Sequence, residues 1–250
     1  STINTFALCH ASIDATSNQA KALIGKLAKL TSELSQAYTP YQDTLAGAPL
    51  EFIQDVLDHE SGDVYGQAFQ IACDRKIVNT KLSVAEEQLL SAMQVDGRDA
   101  WGRMYDNITG ALQIEMEDGK SIGFSQAASL LYGTDFDKQE SAWRGIQKAM
   151  SIHQESFAAI LNALSGWRHT EYQKRSYQQT VHFLDASLHQ SRIQPATLDA
   201  MMDTTKQFRS VGQTAGRLMA KAHGLSGMTP WNYMAGMPSL TNESAKNYSF

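Results

Sequence analysis

Trp143, Ile146, Met150, His153, Phe157, Ile160, Leu164 and Trp167 recur at alternating steps of three and four residues. That spacing lines one face of an α-helix; a strand repeats its faces every two residues and cannot produce it. Asp137 is placed to cap the first turn, and Glu140, three residues on, to return the bond. Continued to Lys174, the helix spans roughly 37 residues, on the order of 55 Å. A rod of that length exceeds an ordinary globular helix and needs other helices packed along it. The chain is therefore constrained toward a mainly α fold, a multi-helix array with long antiparallel helices. Ile146, Met150, Phe157, Ile160 and Leu164 are the expected buried face of the central helix.

The flanking sequence supplies the partners. Residues 1–16 are polar and irregular. Leu23, Ile24, Leu27, Leu30, Leu34 and Tyr38 follow a helical stripe, and Pro40 with Gly47-Ala48-Pro49 punctuates the loop after it. The next helix is expected to bury Phe52, Ile53, Val56 and Leu57 and to break at residues 58–62. Another carries Tyr65, Ala68, Phe69, Ala72 and Ile77. Ser83-Val84-Ala85-Glu86 is a capping box; Leu89, Leu90 and Met93 form the stripe behind it, and Gly97 ends the helix. One more helix is expected around Trp101, Met104 and Tyr105. Leu112, Ile114 and Met116 alternate with polar residues, turn at Asp118-Gly119 and return at Ile122 and Phe124, predicting one small β-hairpin at about 112–124. A short helix, Ser125 to Leu131, precedes the central one. Val181, Leu184 and Leu188 restart the pattern after it. Pro195 opens a long helix with Leu198, Met201, Met202, Thr205, Phe208, Val211, Ala215, Leu218 and Ala222 along one side, closed by Gly224.

Composition narrows the classes of function. The net charge of −5 argues against a nucleic-acid surface. No apolar run reaches the roughly 18 residues that span a bilayer. Ser1 to His10 lacks a basic flank and a long apolar core, so no signal peptide is read there. Cys9 and Cys73 make no disulfide framework or zinc knuckle, and a cytoplasmic setting is expected.

Candidate chemistry is sparse. His182, Asp185 and His189 stand at i, i+3 and i+7 on one helical face. The two histidines are then about 10 Å apart, too far for one zinc ion with bonds near 2 Å. His59-Glu60 opens like a zinc-protease helix, but Asp63 stands where the second histidine belongs. His153 reads as a core histidine, and Cys73 has no histidine within local reach to activate it. Arg168, His169, Lys174 and Arg175 place positive charge near a helix C-terminus, which the helix dipole favours. Met201 and Met202 read as core filling. No Gly-x-Ser-x-Gly elbow and no phosphate-cradling glycine loop occurs. No catalytic or metal-binding residue is assigned, and no substrate-binding residue can be named.

Four stretches, in order, carry a resemblance. They are Leu82-Ser83-Val84-Ala85-Glu86-Glu87; the Asp118-Gly119 hairpin followed by Phe124-Ser125-Gln126-Ala127; Ala158-Ala159-Ile160-Leu161-Asn162 leading to Arg175-Ser176-Tyr177; and Leu184-Asp185-Ala186-Ser187-Leu188-His189-Gln190-Ser191-Arg192-Ile193. From Leu82 to about Ala245 the chain resembles the N-terminal region of the oligoendopeptidase F family, bacterial relatives of thimet oligopeptidase. The resemblance implies a zinc metallopeptidase that cleaves short peptides in a deep, mostly helical channel. It also implies a His-Glu-x-x-His helix and a downstream glutamate as zinc ligands, all beyond the region matched here. Trp231-Asn232-Tyr233 departs from the family, where many relatives have an aromatic–acid pair.

Three regions are expected: an N-terminal helical hairpin at 1–80, a helical channel-wall region with the hairpin at 81–240, and at 241–250 the start of a segment leading toward a catalytic domain. Thr241, Glu243 and Ala245 announce that last helix. By itself the chain is expected to bind no zinc and to cleave no peptide. Met228, Trp231, Tyr233, Met234, Met237 and Tyr248 are expected to form an apolar surface that drives self-association or leaves the tail poorly ordered. The alternative reading is a freestanding helical module that binds peptides or proteins on the same scaffold.

Overall fold

A computed structural model describes residues 2–13, 17–59 and 68–238. The readings placed on Glu60 to Tyr65 and on 241–250, and the side chains of Val56 and His59, lie outside the described residues. The chain is mainly helical, with one two-stranded antiparallel sheet among the described residues. No described helix is long and apolar enough to cross a membrane. Residues 1–107 with 155–198 form one compact unit, and 108–154 with 199–250 a second.

The first unit begins with α1 (Thr2–Ile13), where an irregular segment was expected; Ala7 is buried and α1 lies against the next helix. That helix, α2, runs from Asn18 to Gly47, straight through Pro40. Proline has no N–H to give the carbonyl of Gln36 four residues back, which ordinarily ends a helix. Here Gln88 Nε2 donates to that oxygen at 3.1 Å, so the carbonyl is satisfied and the helix continues. Ser17 caps its start by accepting from the Ala20 N–H. There follow α3 (Leu50–His59), α4 (Ala68–Arg75), a 3-10 turn at Val78–Thr80, α5 (Val84–Gln94) and α6 (Arg98–Ala111), which crosses into the second unit. The capping box at α5 is formed as read: Ser83 accepts from the Glu86 N–H, and the Glu86 carboxylate accepts from the Ser83 N–H. The two hydrogen bonds from Ser83 hold the Glu86 carboxyl below its ordinary range.

The central helix is two helices. α8 (Phe136–Ile152) and α9 (Gln154–Arg175) are separated at His153, whose backbone leaves the helical region at φ −103°, ψ 15°. Its start is also displaced from the expected cap: Asp135, not Asp137, accepts from the Lys138 N–H, and Glu140 instead pairs with Arg144. The five-residue stripe is nonetheless turned inward: Ile146 and Ile160 are buried, Met150, Phe157 and Leu164 half-buried. Pro195–Gly224 divides in the same way at Phe208, into α11 (Pro195–Gln207) and α12 (Arg209–Ala222). Between them and α9 stands α10 (Asp185–Ser191).

The second unit is built on the hairpin. β1 (Gln113–Glu115) pairs with β2 (Ser121–Gly123) in the register Ile114↔Ile122, and Gly119 turns the chain at φ 81°. α7 (Phe124–Leu130) follows directly. Leu112, Ile114, Ala127, Ala142, Ile146 and Ala149 are its buried core. Ala142, Gly145 and Ala149 repeat along one face of α8, so the strand can lie close to the helix backbone. A β-carbon at Gly145 would sit 2.6 Å from the Glu115 carbonyl oxygen and 2.7 Å from Ile114 Cγ2. Gly145→Ala is therefore expected to lower stability by about 1–3 kcal/mol, because the obstacle is backbone. Thermal unfolding checks this, and an unchanged midpoint would remove the close approach. Gln139, fully buried, ties α7 to α8 by donating to the carbonyls of Leu131 and Gly133 at 3.1 and 2.8 Å.

Several apolar stripes are not covered. Leu30, Leu34, Tyr38, Phe52, Phe69, Leu89 and Met93 are exposed, as are Met201, Met202, Phe208, Val211 and Leu218. Periodicity establishes that a helix has an apolar side, not that something lies on it.

Candidate functional site

The first unit carries an open groove of about 960 Å³, within the size range of ligand sites. One wall is the α2 face with Ile24, Leu27, Ala28 and Thr31; the facing wall is α5 with Val84, Leu90 and Gln94. Ser32 crosses between them, its Oγ donating to the Ser91 carbonyl at 2.8 Å. The C-terminal turn of α9 and the residues of α10 close the remaining side.

An ion cluster organises one edge. Glu171 and Arg175 are one turn apart on α9, and Glu87 sits in the first turn of α5 next to the capping box. Arg175 grips Glu87 with two parallel bonds, Nη1 to Oε1 at 2.5 Å and Nη2 to Oε2 at 2.9 Å. Its Nε donates to Glu171 Oε1 at 2.9 Å, and Nη1 also reaches the Thr80 carbonyl at 3.3 Å. Glu87 in turn accepts from the Leu82 N–H at 3.0 Å. Burial by itself would lower the Arg175 guanidinium, but hydrogen bonding and charge from Glu87, then Glu171, hold it above its ordinary range. Arg175 stands in the last turn of α9, the helix-end position expected of it, and is also a largely buried clamp joining α9 to α5. Tyr177 adds a hydrogen bond from its hydroxyl to the Lys81 carbonyl. Arg168 and His169 are exposed.

His182, Asp185 and His189 do not share a helical face. His182 precedes α10: its N–H donates to Asp185 Oδ2 at 2.7 Å, and its Nδ1 accepts from the Leu184 N–H at 3.3 Å. Asp185 therefore ties the chain into α10. His189, on α10, has Nε2 3.7 Å from Asp74 Oδ1 and 3.2 Å from Arg192 Nη1. Burial first, then the Arg192 charge, push the imidazole below its ordinary range, against the pull of Asp74. The Arg192 guanidinium thus faces the His189 ring nitrogen. Among the described residues no three His, Cys, Asp or Glu side chains are grouped to hold a metal ion. Arg192 takes a left-handed backbone, φ 57°, at the end of α10, and its side chain bonds Gln70 on α4 at 2.8 Å.

The remaining candidates do not line the groove. Cys73 is buried and Cys9 exposed, both as free thiols. His153 marks the break between α8 and α9, half-buried. In the second unit the Asn232 side chain accepts from the Thr229 N–H at 2.6 Å and is buried, so the amide holds a turn. Trp231 beside it lies under Arg144, 5.5 Å from guanidinium carbon to ring centroid. Trp231, Met228 and Met234 are half-buried while Tyr233 and Met237 are exposed, which leaves only part of the expected terminal surface uncovered. The arrangement as a whole can hold a ligand by apolar contact and hydrogen bonds.

No family model and no curated protein matches the sequence. Solved structures do. The oligoendopeptidase-F of Enterococcus faecium aligns with a TM-score of 0.74 at 18% identity, over 96% of this chain and 47% of that one. A candidate peptidase from Chlamydophila abortus aligns with a TM-score of 0.62 at 14% identity, over 94% of this chain and 39% of that one. This chain thus spans less than half the length of each. The resemblance first carried by four short stretches extends through almost the whole backbone, and the fold of this chain is that of one part of oligoendopeptidase-F.

Proposed function

We propose that this chain is the helical, non-catalytic part of a zinc-dependent oligopeptidase that hydrolyses short peptides in a deep channel. The observation that carries the reading is the unequal coverage: 96% of this chain lies on oligoendopeptidase-F, but only 47% of that protein is accounted for. The zinc ligands and the glutamate that activates water then belong to the rest of the whole protein, and a cytoplasmic location agrees with the two free thiols. The test is metal analysis and peptide hydrolysis on two samples, this chain and the complete gene product. The complete product is expected to hold one zinc and to cleave short peptides, whereas this chain does neither. Stoichiometric zinc that stays with the 250-residue chain through dialysis would overturn the assignment.

A binding module without hydrolytic chemistry is the second reading, favoured by the groove between α2 and α5. A complete product that lacks His-Glu-x-x-His, yet binds peptides, would select it.

A further inference from the structure

From Asp199 to Ala215 every residue is exposed, although the segment is helical on both sides of Phe208. Helices of 13 and 14 residues are marginal in water by themselves and ordinarily draw their stability from a buried face. α12 has one such face: Ala220 is buried, Gly216, Met219 and His223 are half-buried, and the His223 ring meets Phe136 edge-on at 5.0 Å. A second apolar stripe, Met201, Met202, Phe208, Val211 and Leu218, is between 54% and 62% exposed and lies on a different side of α12 from the first. Asp203, Lys206, Arg209, Arg217 and Lys221 are interspersed with it. An apolar line among charges of both signs suits a permanent protein interface rather than a nucleic acid or a membrane surface.

We infer that this stripe is the surface on which the remainder of the same polypeptide, the catalytic part of the peptidase, packs. The inference rests on the function proposed above. The occupant is chosen because both solved proteins of this fold have more than half their length outside the part matched here. A second copy of the chain is the competing occupant, and the experiment separates the two.

Hydrogen exchange is measured across 199–222 in this chain and in the complete gene product. Exchange should be about a hundredfold slower in the complete product, since docking converts a locally unstable helix into part of a cooperative unit. The double variant Met202→Glu/Val211→Glu should abolish that protection while moving the melting midpoint of this chain alone by less than about 1 °C. Equal exchange in both samples would overturn the inference, as would a large loss of stability in the isolated variant. So would an open reading frame that ends at Phe250. A concentration-dependent dimer of this chain, dissolved by the variant, would assign the face to a second copy. Peptide hydrolysis on the same complete product reads the proposed function separately. Protection without hydrolysis keeps the docking surface and rejects the peptidase; hydrolysis without protection does the reverse.

Discussion

Replacing Arg175 by methionine is expected to destabilise the first unit by about 2–4 kcal/mol, among the largest single effects in the chain. The three side chains of the cluster are each about a fifth exposed, Arg175 at 18%, Glu87 at 20% and Glu171 at 19%. Removing the one cation leaves two carboxylates facing each other in a poorly hydrated place, where an uncompensated charge costs more than a lost contact. Methionine keeps most of the volume, so the loss reports charge rather than packing. Adding Glu87→Gln and Glu171→Gln should restore much of the stability, because neutral amides carry no such penalty. Urea unfolding followed by circular dichroism measures both. A single-variant loss under about 0.5 kcal/mol would place the cluster among ordinary surface ion pairs.

The pH dependence has a definite sign. The folded-state pKa of Arg175 is raised. Its contribution is then complete below the unfolded guanidinium value and is lost only as pH rises through the folded one. The difference between the native chain and the neutral triple variant should therefore not fall off at the alkaline end of an ordinary titration, as it would if a lysine carried the charge.

The second large effect lies in the other unit. Ile114→Ala should cost about 2–5 kcal/mol, and with this little room for collapse the upper half of that range is expected. Ile114 has no exposed surface, and its Cγ2 fills the notch that Gly145 leaves in α8. The cavity is bounded by helix backbone and by the paired strand, neither of which can move inward without losing hydrogen bonds. A cost of that size should lower the unfolding midpoint of the second unit by roughly 10 °C or more. Trp143 and Trp231 belong to this unit and Trp101 and Trp167 to the other. Fluorescence of variants that keep one pair of tryptophans therefore shows which unit melts first. If the variant melts within about 2 °C of the native chain, the strand–helix packing is not what holds this unit together.

Features that are local in sequence were legible, because their physics is local. A serine three residues ahead of a glutamate satisfies two helix-end N–H groups whatever lies around it, and Ser83 and Glu86 do so. Asp118-Gly119 turns between alternating apolar residues because only glycine takes the required backbone angle cheaply, and the register follows. The resemblance drawn from short stretches pointed to the fold that the backbone adopts. Pro40 illustrates the opposite case. Its sequence signal is a helix stop, and the stop is cancelled by Gln88, which donates to the Gln36 carbonyl 52 residues before it. The clamp was invisible for the same reason: Arg175 and Glu87 are 88 residues apart, and nothing near either says that they meet.

By itself, the sequence determined that the chain is helical, where the hairpin at Asp118-Gly119 turns, and which side of each helix is apolar. Those follow from backbone preference, capping and periodicity, all set within a turn or two of the residue concerned. Only the tertiary structure decided where the long rods break, which carbonyl is rescued, and which charges are paired. It also decided which apolar stripes are covered: Ile146 and Ile160 are, while Met202 and Val211, carried by an equally regular pattern, are not. Burial is a relation between two surfaces, and a one-dimensional pattern describes only one of them.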